Sequence, residues 1–333
     1  VKISYSFIIP VYNRPNEIEE LLASFKNLKT NIAFEIVIVE DGSSISSEEV
    51  IAQFQDDLTI TYLKKENSGP GDSRNFGMRK ASGNYFIVLD SDVVLPENYL
   101  ELVNDFLTEN YVDCFGGPDE ADKNFSDIQK AINFVMTSFL TTGGIRGNKK
   151  AVKNFEPRSF NMGISKKAFE ATQGFGKIHP GEDPDLAIRI KKNGFQTRLI
   201  KNAYVYHKRR ISWQKFYQQV HKFGIVRVIL NTWHPETSSL VFWFPSLFLI
   251  GLIASVAAAL FGILLPISLY FFYLLLLCIW ATIKTKRTTI GLLVFRATLI
   301  QFFGYGFGFL KSTYYIRILG KNPKKTFPNL FFH

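Results

Sequence analysis

Apolar residues fall into two patterns along this 333-residue chain. Through the first two thirds they come as short runs, Ser4 to Ile9, Phe34 to Val39, Leu58 to Leu63 and Tyr85 to Leu89, each bounded by polar turns. Short apolar runs of this kind predict strands. Between them the spacing changes to three and four, and Ile18, Leu21, Leu22 and Phe25 share one face of a helix opened by Asn13-Arg14-Pro15. Ser47 to Phe54 and Gly71 to Ala81 read as further helices. Strands alternating with helices predict an α/β layered fold with a mostly parallel sheet.

The last third differs in kind. Thr237 to Ile283 carries no charged residue over 47 positions, which as helix would extend about 70 Å at about 1.5 Å per residue. A bilayer core is about 30 Å thick, so two spans are predicted, 240–262 and 266–283, turning through Ile263-Leu264-Leu265. A third apolar segment, 288–310, is interrupted by Arg296 and by Gly304, Gly306 and Gly308, and five basic residues follow it. A full span would export those charges, so a third span and a re-entrant or interfacial element both stay open. Arg296 faces a headgroup in one reading and snorkels in the other. Ahead of the spans, Trp213 to Leu230 places Trp213, Phe216, Tyr217, Val220 and Phe223 among basic residues, the pattern of an amphipathic helix at a membrane surface. Packing against the α/β domain is the competing use of that face. The chain thus divides into an α/β domain at 1–210, an interfacial segment at 211–236 and a membrane region at 237–333.

Charge sharpens this division. All 29 acidic residues lie at or before Glu236 with 30 of the 39 Lys and Arg residues, so nearly the whole +10 surplus sits in the apolar tail. A nucleic-acid partner is excluded on this distribution, because its basic groups would lie on a soluble face. Anionic lipid suits it. Lys208, Arg209 and Arg210 precede the spans and Lys284, Lys286 and Arg287 follow the second, which puts both flanks on the cytoplasmic side. Cys114 and Cys278 are too isolated for a disulfide framework or a metal knuckle. Val1 to Val11 reads as a first strand, not a leader, so the expected setting is a multi-pass protein of the inner membrane with its α/β domain cytoplasmic.

In open α/β sheets ligands sit beyond the carboxyl ends of the strands. Three predicted strands end in polar clusters there: Pro10-Val11-Tyr12-Asn13, Glu40-Asp41-Gly42-Ser43 and Asp90-Ser91-Asp92. A nucleotide needs an aromatic face and an acceptor for its base and cationic help for its diphosphate, which Tyr12, Asp41 and a metal held at Asp92 would supply. Hard cations take carboxylate and phosphate oxygens together, so Mg²⁺ or Mn²⁺ would justify two crowded carboxylates. Asp-x-Asp alone is usually a solvated turn. Its position after Phe86-Ile87-Val88-Leu89 gives it weight.

With these residues in view the sequence resembles the family 2 glycosyltransferases, which have the nucleotide-sugar-binding GT-A fold. The resemblance runs through Phe7-Ile8-Ile9-Pro10-Val11-Tyr12-Asn13, Val39-Glu40-Asp41-Gly42-Ser43, Ser73-Arg74-Asn75-Phe76-Gly77 and Leu89-Asp90-Ser91-Asp92. It continues through Asn161-Met162-Gly163-Ile164, Gly174-Phe175-Gly176 and Gly181-Glu182-Asp183-Pro184-Asp185-Leu186. It implies that Tyr12 and Asp41 contact the nucleobase, that Arg74 helps hold the nucleotide, and that Pro10, Asn13, Ser91 and Asn161 belong to the same donor site. It further implies that Asp90 approaches ribose or metal and that Asp92 ligates the metal. Glu40 stands where many relatives have an aspartate, and Val93 where many have a third carboxylate. For Arg74 the plain alternative is a surface helix charge.

Asp183 is the candidate base on chemical grounds as well. A hydroxyl attacking an anomeric carbon needs a proton acceptor opposite the leaving diphosphate, worth about 10²–10⁴ in rate. Because Pro184 suits the first turn of a helix, Asp183 as a plain N-cap is the alternative. Glu182 would orient Asp183 or touch the acceptor, and Asp185 reads as structural. His207, after an extended stretch, matches a histidine that often completes the metal site; otherwise it is an ordinary packed residue. His179, His221 and His234 are weaker candidates. Trp213 heads the segment that would deliver a lipid-linked or glycan acceptor. The glycine-rich, basic stretch from Thr141 to Lys153 is a lid over the diphosphate or a solvated loop.

Together these readings predict metal-dependent transfer of a sugar from a nucleoside-diphosphate donor, UDP favoured, to an acceptor hydroxyl at the membrane. Transfer to polyprenyl phosphate is the second enzyme reading, and its anionic acceptor needs no base. A nucleotidyltransferase lacks support because no glycine-rich loop with Lys or Arg joins strand to helix, and a dinucleotide dehydrogenase because no G-x-G-x-x-G follows the first strand. A membrane scaffold without activity is the remaining class.

Overall fold

The computed structural model describes residues 2–121, 126–142, 155–207 and 212–332. Along the chain run β1 (Tyr5–Val11), α1 (Pro15–Lys26), β2 (Phe34–Asp41), α2 (Glu48–Ala52), β3 (Ile60–Lys65), α3 (Pro70–Lys80), β4 (Tyr85–Leu89) and β5 (Val93–Val94). There follow α4 (Tyr99–Glu109), β6 (Cys114–Gly116), β7 (Asp119–Ala121), α5 (Asp127–Thr137), α6 (Phe139–Thr142), β8 (Asn161–Ser165) and α7 (Lys166–Thr172). The chain continues through α8 (Glu182–Lys192), β9 (Thr197–Leu199), β10 (Val205–His207), α9 (Trp213–Trp233), α10 (Phe244–Leu260), α11 (Leu265–Thr285) and α12 (Thr288–Ser312).

Two compact units result. The first comprises Val1–Asp122, Ala151–Lys208 and Phe331–His333, the second Lys123–Lys150 and Arg209–Leu330. The segment around α5 and α6 therefore joins the helical unit, although it lies inside the first 210 residues.

In the first unit seven strands form one sheet in the order β3-β2-β1-β4-β8-β6-β9. Strands β1, β2, β3 and β4 pair in parallel, whereas β8 runs antiparallel to both β4 and β6. The period of two along the strands sorts the core into two layers. Phe7, Ile9, Ile36, Ile38, Ile87 and Leu89 point to one side, where Ile18, Leu21, Leu22 and Phe25 of α1 and Leu100 and Val103 of α4 cover them. Ile8, Val37, Val39, Phe86 and Val88 point to the other, against Met78 of α3, Phe169 of α7 and Leu186 and Ile190 of α8. Burial on both faces is why these strands are continuous apolar runs instead of alternating ones. Strand β1 lies between β2 and β4, so strand order reverses there and a crevice opens beyond the carboxyl ends of all three. A small second sheet, β5-β10-β7, lies after β4 in the chain and sets His207 opposite Val93.

Among the described residues of the helical unit, three helices are long and apolar enough to cross a membrane: Leu240–Leu260, Leu265–Thr285 and Thr288–Ile318. The third runs as one unbroken helix, α12, through Gly304, Gly306 and Gly308. Those glycines face close neighbours. A Cβ on Gly308 would stand 2.2 Å from the His221 carbonyl oxygen, and one on Gly304 2.5 Å from Val220; the reciprocal position in α9, Gly224, would meet the Tyr305 carbonyl at 2.2 Å. Small residues let two helix backbones approach, which is how α9 and α12 pack. The apolar face of α9 is thereby used inside this unit: Phe216 and Val220 join Ala131, Val135, Leu277, Val294 and Ala297 in one core. Gly308→Ala is expected to cost about 1–3 kcal/mol through overpacking, read as a lower melting temperature in detergent. Leu292→Ala, at an exposed position of the same helix, is expected to stay within about 0.5 kcal/mol of the parent.

Candidate active site

The crevice is built from the ends of β1, β2 and β4. After β1, Asn13 takes a left-handed conformation (φ 55°), which asparagine tolerates better than most residues. Its side-chain oxygen accepts the Ile45 N–H at 2.9 Å, and its own N–H donates to Ser43 Oγ at 2.8 Å. Asn13 thus ties the loop after β1 to the loop after β2. Tyr12 beside it is 51% exposed, an uncovered ring at the mouth of the crevice, and Pro10 is half-buried in β1.

Asp41 ends β2 buried and fully engaged. Lys65 Nζ lies 2.8 Å from its Oδ1, and the N–H groups of Ser68 and Gly69 donate to its two oxygens at 3.0 Å each. The carboxylate holds the loop that leads into α3. Glu40 is likewise inward, accepting the Ser47 N–H at 2.8 Å and the Tyr62 hydroxyl at 2.9 Å, together with the Ser43 hydroxyl.

Arg74 is the centre of the arrangement. It is buried in α3, which overturns a surface-charge reading. One guanidinium nitrogen lies 2.7 Å from Asp90 Oδ1 and another 3.5 Å from Glu182 Oε1, while the group stacks 5.2 Å from the centre of the Phe175 ring. Desolvation acts against its charge, but Asp90, Asp183 and Glu182 outweigh it and hold the guanidinium firmly protonated. Its Nε is buried with no hydrogen-bond partner among the described residues. Asn75, the next residue, pairs twice with the backbone of Phe175 at 2.8 Å, so α3 carries the loop before α8.

That loop brings in Glu182 and Asp183. Helix α8 begins at Glu182 with Gly181 as its cap, so Asp183 lies in the first turn and the plain N-cap reading does not hold. Glu182 is buried; the hydrogen bond and charge of His179, with Nδ1 at 2.7 Å, and the Arg74 charge overcome desolvation and hold its carboxyl below the usual range. Asp183 behaves oppositely. Burial first, and then the charge of Glu182, push it up to about 6 against the pull of Arg74, Arg158 and a hydrogen bond from Ser159. Its Oδ1 is buried without a hydrogen-bond partner among the described residues. Asp185 is ion-paired to Arg189 at 2.7 Å, in keeping with a structural role.

After β4, Asp90 keeps a third of its side chain accessible and Ser91 is buried. Asp92 Oδ2 lies 3.2 Å from Arg14, which also pairs with Glu17 at 3.0 Å. His207 is placed by backbone pairing opposite Val93, one residue beyond Asp92; its side chain lies outside the described residues. Asn161, opposite Leu89, is fully buried, accepting the Tyr99 hydroxyl at 2.6 Å and donating to the Ala203 carbonyl at 2.9 Å. Trp213 is the first residue of α9 in the helical unit, with Arg296 stacked 5.0 Å from its ring centre. Of the expected lid, Thr141 and Thr142 end α6 and the rest lies outside the described residues.

Chemically, two carboxylates at the end of β4 are hard oxygen donors of the kind a divalent cation takes, Asp90 here pairing with Arg74 and Asp92 with Arg14. Among the described residues no three His, Cys, Asp or Glu side chains converge as a closed metal site. Arg14, Lys65, Arg158 and Ser159 are site neighbours that the sequence reading missed, and His179, a weaker histidine candidate there, stands beside Glu182. Lys65 alone had a signal, since it stands opposite Asp41 in the β2–β3 register.

Comparison with known proteins bears on the same region. The family described as glycosyl transferase family 2 matches residues 6–172, half of the chain, ending before Asp183. The chondroitin synthase of Pasteurella multocida is 32% identical over 240 residues, which cover 62% of this chain and 25% of that protein. The chain spans only 15% to 34% of the length of the similar curated relatives compared, between a Rickettsia bellii glycosyltransferase and the Escherichia coli chondroitin synthase. Among solved structures, the mannosyltransferase PcManGT from Pyrobaculum calidifontis in complex with GDP-Man and Mn²⁺ has a TM-score of 0.59 at 17% identity, over 90% of this chain and 87% of that one. S. aureus TarS 1–349 in complex with UDP-GlcNAc has a TM-score of 0.50 at 16% identity, over 95% and 92%. At such identities the likeness is one of fold.

Proposed function

The chain belongs to glycosyl transferase family 2 and has the GT-A fold, and from that premise we propose that it is an inverting transferase acting at the cytoplasmic face of the inner membrane. Its donor is a nucleoside-diphosphate hexose or N-acetylhexosamine, with UDP favoured. Its acceptor is a hydroxyl of a lipid-linked or glycan molecule in cell-surface polysaccharide or glycolipid synthesis. The named relatives, a chondroitin synthase and a structure with UDP-GlcNAc, favour this donor class.

One observation carries the reading: Asp183, pushed up to about 6, has a buried oxygen without a partner among the described residues, within the field of the Arg74 that binds Asp90. A carboxylate of that kind is a base poised near neutral pH. As the acceptor oxygen bonds to the anomeric carbon, its proton passes to Asp183 and the bond to the diphosphate breaks on the opposite face. Tyr12 is open to stack on a nucleobase, while Asp41 fixes the wall beside it. A divalent ion, Mg²⁺ or Mn²⁺, held by Asp92 with Asp90 and His207, would neutralise the departing diphosphate. Transfer to polyprenyl phosphate would leave Asp183 without a task.

The test is a panel of nucleotide-sugars with Mn²⁺ and membrane-extracted acceptors. Nucleoside diphosphate release coupled to a glycosylated product is expected, and Asp92→Ala should reduce it by about 10²–10³ if the ion supplies several kcal/mol at the transition state. Pyrophosphate release, or parent-like turnover in Asp92→Ala, would sink the reaction or the metal assignment respectively. An acid-labile monosaccharide lipid formed from polyprenyl phosphate would favour the second reading.

A further inference from the structure

We infer that α10 and α11 cross the bilayer as a hairpin and that α12, despite its length and apolar character, does not cross but stays on the side of the α/β unit. This rests on the reading of the helical unit as membrane-embedded.

The first argument is parity. Ala151–Lys208 and Phe331–His333, on either side of the helices, belong to one compact unit. Phe331 bridges Ile178, and the Phe332 N–H donates to the Lys177 carbonyl at 3.0 Å. The Phe332 ring fills the space in which a Cβ on Gly69 would stand 2.3 Å away. One folded unit lies on one side of a membrane. The chain between must therefore cross an even number of times, and three spans are excluded.

A second observation identifies the helix that stays. Lys123–Lys150 also leaves the α/β unit and returns to it. Crossing twice takes about 40 residues, more than this stretch holds, so α5 and α6 remain on the side of that unit. Helix α12 is fastened along them. Asp127 of α5 pairs with Arg287 at 2.7 Å and accepts the Thr289 hydroxyl at 3.1 Å, and the Gln301 amide donates to the Thr141 carbonyl at 3.3 Å. Half of α12's apolar window is buried inside the protein, against 22% for α10 and 17% for α11. It also carries Arg296, and Lys311, Arg317, Lys321, Lys324 and Lys325 lie at or beyond its end. Keeping these with Lys284, Lys286 and Arg287 places every basic group of the tail on one face. The hairpin, by contrast, has no charge between Thr237 and Ile283, and Ile253, Leu260, Leu269, Phe271 and Ile279 are exposed, as lipid contact requires.

Single cysteines at Glu19, Ile263 and Lys321 in the full-length membrane protein test this, with the native Cys114 and Cys278 as the measured background. A membrane-impermeant maleimide is applied to intact spheroplasts and to inverted vesicles. Ile263→Cys is expected to react from one side, and Glu19→Cys and Lys321→Cys both from the other. Reaction of Lys321→Cys from the Ile263 side would overturn the assignment of α12. Reaction of all three from one side, in protein that resists alkaline carbonate extraction, would overturn the hairpin. Release of the protein by carbonate would instead remove the membrane reading on which both rest.

Discussion

Asp183→Asn is expected to reduce turnover by about 10²–10⁴ while raising the melting temperature of the same protein at pH 7.5. The rate term is the ordinary worth of a positioned general base. The stability term has the opposite sign because of where Asp183 sits. Burial and Glu182 raise its proton affinity to about 6 in the folded state, above that of an unfolded aspartate. Between about pH 4 and 6 the folded protein binds more protons than the unfolded chain, so stability falls as pH rises through that window. Above it the cost of the ionised carboxylate is fully present. An amide removes it, and a gain on the order of 2 kcal/mol at pH 7.5 is the expected scale. The parent enzyme should lose activity as pH falls through about 6, as the base becomes protonated. Donor affinity should be little changed in the variant. A variant both inactive and less stable would assign Asp183 to structure, and one of unchanged rate would end its role as base.

Arg74→Gln has the second large effect, chiefly on folding. Asp90, Glu182 and Asp183 all draw on one buried guanidinium. Removing one partner of a buried charged cluster typically costs about 3–5 kcal/mol, since the others are left uncompensated. The loss should appear in thermal melts at pH 7.5 and shrink at acid pH, where protonated carboxylates need no counter-charge. Because Arg74 pulls the Asp183 proton affinity down, the acid limb of any remaining activity should shift to higher pH. Arg74→Lys keeps the charge but not the planar fork, which here bridges two carboxylates, and should recover stability only in part. An unchanged melting temperature in Arg74→Gln would mean that water already serves these carboxylates.

What the sequence disclosed follows the range of the interactions involved. The ends of β1, β2 and β4 were legible because strands covered on both faces are unbroken apolar runs, and the chain exits each through polar residues. The start of α8 was one or two residues off, since its cap is Gly181 and its first turn is acidic. Partners drawn from distant parts of the chain left no trace. Arg14 meets Asp92 and Ser159 meets Asp183 only after folding, and nothing local marks either. The glycines at 304, 306 and 308 gave no local sign of their partners either: the Val220 side chain and the carbonyls of Pro245 and His221 stand where a Cβ would point. Helix α5 was overlooked altogether, and its apolar face, with Ala131, Ile132 and Val135, is explained only by the helices that cover it.

The interleaving of the two units also bears on inheritance. Each is assembled from separate stretches of chain, with Lys123–Lys150 donated to the helical unit and Phe331–His333 to the other. A single recombination point therefore cannot deliver either unit whole. An exchange that replaced the chain after residue 208 would orphan α5, baring Ala131, Ile132 and Val135, and would strip Gly69 of the ring that covers it. The two units are bound to change hands together, or to be refitted at both seams.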